Sequence, residues 1–206
     1  MASSYRSSNV FLGVIVSALV ASAALFAVAT VLSDDGGSET RPLLVLGDSL
    51  CVRARDDGAD MTAMLRSAGW EPEYACGNGV PIDSGIEYVA TRSEVPHDVV
   101  VALGTNGGPD EGDFDVKLAT LRDDLVERGA SHIVWVDFAT SLGGYEGKNQ
   151  TLHELVEAEG DTLTSWAARS NGALQYFQPD AVHHTLEGST VWVADIVEAL
   201  GEPDDS

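Results

Sequence analysis

Positive charge is scarce in this chain. Lys and Arg together number 11 against 33 Asp and Glu, a formal net charge of −22 over 206 residues. Such a surface repels phosphate backbones and anionic headgroups, which argues against nucleic acid as a partner. A well-hydrated soluble surface accounts for the charge, and a saline habitat is a second account. Cysteine is scarcer still, with only Cys51 and Cys76. No Cys/His spacing of the zinc type occurs, and no phosphate loop ending in Gly-Lys-Ser/Thr. Neither a metal nor a cofactor is therefore expected. The acidic pairs Asp34-Asp35 and Asp204-Asp205 read as solvated charge. There is no internal repeat and no long low-complexity tract.

Charge of either sign is absent from residues 10–32, an unbroken apolar and small-residue run long enough to span a bilayer. Arg6 precedes it and Asp34, Asp35 and Glu39 follow. The positive-inside tendency then leaves residues 1–9 in the cytoplasm and the main domain outside, held by a single-pass anchor. A cleaved signal peptide is the alternative, because Ala27-Val28-Ala29 resembles a cleavage site; both readings export the domain. Residues 33–41 form a polar linker. Residues 42–200 are long enough for one domain with one sizeable core, and residues 201–206 form an acidic tail.

An exported domain meets an oxidising compartment. Cys51 follows the first expected strand and Cys76 the second, so adjacent parallel strands would bring them to one sheet edge. A disulfide is expected, worth roughly 3 kcal/mol by chain entropy; two separate buried thiols are the other reading.

What is present is a regular alternation of strand and helix. Leu43-Leu44-Val45-Leu46, between Pro42 and Gly47, reads as a buried strand. Met61, Met64, Leu65 and Ala68 fall at helical spacing before Gly69. Glu73-Tyr74-Ala75 is a weak second strand, and a short helix around Ile86, Val89 and Ala90 follows. Val99-Val100-Val101-Ala102-Leu103 is a third strand; residues 114–128 make an amphipathic helix and 133–136 a fourth strand. Residues 139–148 read as a loop and 152–169 as a helix that Gly160 interrupts. Residues 173–177 read as a fifth strand and 189–200 as the last helix. The pattern predicts an α/β fold, a flavodoxin-like doubly wound sheet of about five parallel strands flanked by helices.

In such a sheet the loops after the strands share one edge. Ser49 follows the first strand and Asn106 the third, and Asp180 and His183 follow the expected fifth. A serine hydroxyl needs a base before it becomes a useful nucleophile, and a histidine oriented by an acid supplies one near neutral pH. Asp48-Ser49 also reads simply as a helix N-cap, Asn106 as a turn residue, and Asp180 and His183 as a loop cap. His97, His132 and His153 read as surface or structural residues. Asn149-Gln150-Thr151 has the form of a glycosylation sequon.

Taken together the blocks resemble the SGNH (GDSL) hydrolase superfamily, in particular the SGNH domains related to cell-envelope acyltransferases. The first block is Gly47-Asp48-Ser49-Leu50, the third Gly104-Thr105-Asn106, and the last Asp180-Ala181-Val182-His183. The resemblance implies Ser49 as nucleophile, His183 as general base and Asp180 as its orienting acid. It implies an oxyanion hole of the Ser49 amide, the Asn106 side chain and a glycine amide. Gly77 and Gly79 both qualify; Gly79 is preferred because Gly85-Ile86 follows it at the family's spacing. Many members carry Asp after the block-three Asn, where this chain has Gly107-Gly108. His184, beside His183, is expected at the rim. The implied function is an exported serine esterase or acyl transferase acting on a small acyl ester of an envelope carbohydrate, O-acetyl above all, with a membrane acyltransferase as a candidate partner. A lysophospholipase or thioesterase, and a non-catalytic carbohydrate-binding domain, are the rival readings.

Overall fold

Leu43, Leu44, Val45 and Leu46 have no solvent exposure because their strand lies inside a sheet, with a parallel neighbour on either side. The computed structural model describes residues 40–108, 111–140 and 143–203. In chain order its elements are β1 (Arg41–Gly47), α1 (Ser49–Asp56), α2 (Met61–Ser67), β2 (Trp70–Cys76), α3 (Ile82–Ala90), β3 (Asp98–Ala102), α4 (Phe114–Glu127), β4 (His132–Trp135), α5 (Glu146–Glu159), β5 (Thr162–Leu163), α6 (Trp166–Ser170), a 3₁₀ turn (Leu174–Tyr176) and α7 (Leu186–Leu200). The strands are all parallel in the order β2-β1-β3-β4-β5. This is the doubly wound, flavodoxin-like arrangement that the alternation predicts. The expected membrane span, residues 10–32, lies outside the described residues. Among the described residues no helix is long and apolar enough to cross a membrane.

Alternation along the strands divides the apolar interior in two. Leu43 and Val45 face one layer, with Cys51, Met61, Leu65, Trp192 and Ile196 from α1, α2 and α7. Leu44 and Leu46 face the other, with Ile82 and Val89 of α3 and Leu118, Leu121 and Leu125 of α4.

Two expectations need correction. The fifth strand is Thr162–Leu163, not residues 173–177. The latter segment holds the 3₁₀ turn, where Leu174 is 72% exposed and cannot line a sheet. Apolar residues there suggested a strand, whereas the true strand is too short to show periodicity. The expected helix over 152–169 is two helices. Gly160 takes a left-handed φ of 75° and closes α5 by donating to the Val156 carbonyl, which frees the chain to re-enter the sheet. Helix α5 also starts at Glu146, inside the segment read as a loop.

Candidate active site

The crevice where strand order reverses, between β1 and β3, is where doubly wound sheets hold their ligands. Gly47 ends β1, in register with Ala102 on one side and Cys76 on the other. A Cβ at Gly47 would stand 2.4 Å from the Cys51 Cβ, so only glycine lets α1 fold back so closely on the strand. Cys51 and Cys76 form a disulfide that ties α1 to the end of β2. Asp48 caps α1: its Oδ1 accepts the Leu50 amide at 2.9 Å. Burial pushes its carboxyl pKa up, against the opposing effect of the Leu50 and Thr105 hydrogen bonds. Ser49 is the first residue of α1, where helix amides have no partner within the helix. The helix-cap reading of Asp48 and the nucleophile geometry at Ser49 thus coexist in adjacent residues.

Ser49 Oγ lies 3.1 Å from His183 Nε2, and His183 Nδ1 lies 2.8 Å from Asp180 Oδ2. If Nδ1 carries the proton toward Asp180, Nε2 is left free to accept the serine proton. Asp180 Oδ1 accepts the backbone amides of Val182 and His183, each at 3.0 Å. The His183 side-chain bond, then these amides, hold the Asp180 carboxyl down at about 2, so it stays ionised as an orienting acid. The turn demands a left-handed φ of 60° at Ala181, which costs about 1 kcal/mol for a non-glycine residue. Gln178 fixes the loop by donating its amide to the His183 carbonyl at 2.7 Å and its side chain to the His184 carbonyl at 3.0 Å.

Asn106 sits in the turn after β3, with its Nδ2 donating to the Val80 carbonyl at 3.0 Å. That bond uses one of two amide hydrogens and leaves the other for a ligand oxygen. Of the two glycines read as oxyanion donors, Gly77 has its N–H engaged by the Gly47 carbonyl at 3.1 Å, continuing the β1–β2 ladder. Gly79 lies past that ladder with φ 71°, and among the described residues its amide has no backbone partner. Of the two amides, that of Gly79 is the one left without a backbone acceptor among the described residues.

His184 is not at the rim. It is 3% exposed, with its ring 4.8 Å from that of Trp166 and 5.7 Å from those of Phe177 and Trp192. Burial, then the neighbouring His183, lower its pKa to about 4, so the ring is neutral at physiological pH. His183 and His184 are adjacent in sequence yet have opposite surroundings, one facing Ser49 and the other buried among aromatic rings. Asn149 is likewise structural: it is buried and clips the Phe138 backbone through Oδ1 and Nδ2, both at 2.8 Å, which makes the sequon unavailable. His132 pairs with Asp98 at 2.9 Å and His97 with Ser131 at 3.3 Å, at the sheet edge opposite Ser49, while His153 is exposed. Beneath the site lies a cavity of about 30 Å³ lined by residues that include Leu50, Thr105, Phe138, Val182, His184 and Trp192. Four of these, Leu50, Thr105, Val182 and His184, are chain neighbours of Ser49, Asn106 and His183.

Sequence reasoning missed Tyr145, Lys148 and Glu111, which hold the Asn106 turn from below. They lie in polar, loop-like sequence with no motif, and no periodicity marks them as buried.

The architecture is that of the SGNH hydrolases. The chain superposes on the SGNH-hydrolase family esterase AlinE4 with a TM-score of 0.54 at 22% identity, covering 78% of this chain and 95% of that one. It superposes on the C-terminal catalytic domain of peptidoglycan O-acetyltransferase A (OatA) from Streptococcus pneumoniae with a TM-score of 0.60 at 20% identity, covering 78% and 93%. In sequence it is similar to the peptidoglycan O-acetyltransferase OatA of Listeria monocytogenes, 29% identical over 104 residues. That match takes in 50% of this chain but only 16% of the relative's length. No family model matches the chain.

Proposed function

We propose that this chain is an exported SGNH-type serine esterase or acyl transferase that acts on a small acyl ester, above all O-acetyl, of an envelope carbohydrate. The observation that carries the reading is the continuous Ser49–His183–Asp180 relay, at 3.1 and 2.8 Å. His183 Nε2 takes the proton as Ser49 Oγ attacks the ester carbonyl. The oxyanion receives the Ser49 and Gly79 amides and the free hydrogen of Asn106 Nδ2. The tetrahedral intermediate collapses to an acyl-Ser49 as His183 returns the proton to the departing alcohol. Water or a sugar hydroxyl then attacks the acyl-enzyme, with His183 again as base. Asp180 keeps the imidazole oriented and stabilises its cation throughout.

A small acyl group is supported by the cavity of about 30 Å³ next to the site, which offers no room for a fatty chain. The envelope-carbohydrate reading is supported by the likeness to peptidoglycan O-acetyltransferases in sequence and fold. Export and anchoring rest on residues 10–32, and a membrane acyltransferase would be the natural source of acyl groups if the reaction is transfer. A fluorophosphonate probe should label Ser49 in the full chain, and Ser49→Ala should abolish both labelling and hydrolysis of acetyl esters while the far-UV spectrum is retained. Retained hydrolysis in Ser49→Ala would refute the assignment. Protease added to intact spheroplasts should digest the domain, and protection until lysis would refute export.

A further inference from the structure

The turn that carries Asn106 is held from below by a set of side chains to which the reading above gives no role. The turn runs from Thr105 to Gly108, closed by the Gly108 amide donating to the Thr105 carbonyl at 3.3 Å. Tyr145, at the start of α5, donates its hydroxyl to the same Thr105 carbonyl at 2.9 Å. Lys148, one turn further along α5, donates its ammonium to the Gly104 carbonyl at 2.7 Å. The two carbonyls preceding Asn106 are thus gripped by two donors from one helix end.

Lys148 is 3% exposed, an unusual position for a lysine, and its charge is met by Glu111 Oε2 at 2.7 Å and by the Phe114 ring face at 4.4 Å. Glu111 Oε1 in turn accepts from Lys117 at 2.8 Å. The Glu111 carboxylate lies directly against Gly107, where a Cβ would come within 1.9 Å of Oε2. Gly107 is the position where many SGNH members carry Asp. An aspartate here would clash with Glu111 and set two carboxylates in contact. The Gly107 departure is therefore matched to the Glu111–Lys148 pair.

We infer that Tyr145, Lys148 and Glu111 form a clasp that fixes the Gly104–Gly107 backbone and so positions the Asn106 amide for the oxyanion. The clasp rests on the reading of Asn106 as an oxyanion donor. None of the three is placed on the reacting atoms; they are positioning residues that act through Asn106. A buried, fully paired ammonium holds a carbonyl more rigidly than water can, and small displacements of an oxyanion donor cost rate and not binding.

The test uses the full chain with p-nitrophenyl acetate as substrate. Tyr145→Phe keeps the stack on Phe138, at 5.4 Å between centroids, and deletes only the hydroxyl. Lys148→Met keeps the stem and deletes the charge. Tyr145→Phe should lower kcat about fivefold and Lys148→Met about twentyfold, with KM changed less than about threefold. In an Asn106→Ala background each should lower kcat by less than about twofold, because the group they position is gone. Penalties that multiply in full in that background would overturn the inference in favour of a general structural role, as would unchanged kcat in Tyr145→Phe if Lys148→Met fails to fold. Amide exchange at Gly108, whose N–H closes the turn on the Thr105 carbonyl, followed by NMR without substrate, separates this inference from the proposed activity. Faster exchange in the variants supports the clasp even if no ester is turned over; unchanged exchange rules it out whatever the activity.

Discussion

Replacing His184 with phenylalanine should flatten the acid side of the stability profile. The imidazole is neutral in the folded protein because burial among Trp166, Phe177 and Trp192 holds its pKa at about 4. In the unfolded chain the ring titrates at its ordinary value near 6.5. Above pH 6.5 both states are neutral and His184 contributes no pH dependence. As pH falls below 6.5 the unfolded chain takes up a proton that the folded protein refuses, so stability is lost. The loss stops growing below about pH 4, where the folded protein also binds the proton. The linkage expression puts the loss at about 0.8 kcal/mol at pH 6, about 2 kcal/mol at pH 5 and about 3 kcal/mol at pH 4. A phenyl ring retains the aromatic contacts and does not titrate. Urea unfolding of wild type and His184→Phe at pH 7.5, 6, 5 and 4 measures the difference directly, since the remaining groups titrate alike in both proteins. Parallel stability curves from pH 7.5 to 4 would refute the reasoning and mean that the folded imidazole titrates as it does in water.

Three further outcomes are expected. Asn106→Ala should lower kcat by roughly 10²–10³ with a smaller effect on KM, by steady-state kinetics; a change confined to KM would make Asn106 a substrate-binding residue. Reduction of Cys51–Cys76, which spans 25 residues of chain, should cost about 3.5 kcal/mol by the chain-entropy estimate and lower Tm by about 10 °C; calorimetric traces that coincide with and without reductant would rule out a stabilising bridge. Gly188→Ala would drive a Cβ to 2.0 Å from the Tyr176 carbonyl oxygen, so urea unfolding should show about 2–4 kcal/mol of lost stability, and a loss below 1 kcal/mol would mean that α7 shifts freely away from the 3₁₀ turn.

Much of the fold is legible in the sequence where physics is local. β1 and β3 are continuous apolar runs because both their faces are buried, and the order of strands and helices follows from that alternation. Ser49 is legible because it follows β1 directly, and Asp180 and His183 are legible from their three-residue spacing, although the strand expected before them is a 3₁₀ turn. β5 is not legible, since its two residues pair with Val134 and Trp135 through contacts distant in sequence. His184 could not be told from His183 by spacing alone; its burial depends on Trp166 and Trp192, from two other helices. Lys148 reads as surface charge until Glu111 and the Gly104 carbonyl are seen around it.

The two ends of the described domain leave it on the same side. The chain enters β1 at Arg41, paired in register with Trp70, and Ser49 lies beyond the other end of that strand, about 20 Å away at some 3.3 Å per residue. Helix α7 starts beside the His183 loop and closes at Leu200, which shares a surface recess with Arg41 and Trp70. The domain is therefore built like a plug with both leads on the back. It can be spliced into a longer polypeptide, fused at either end or fixed to a solid support through them, and the face that carries Ser49 and His183 stays open.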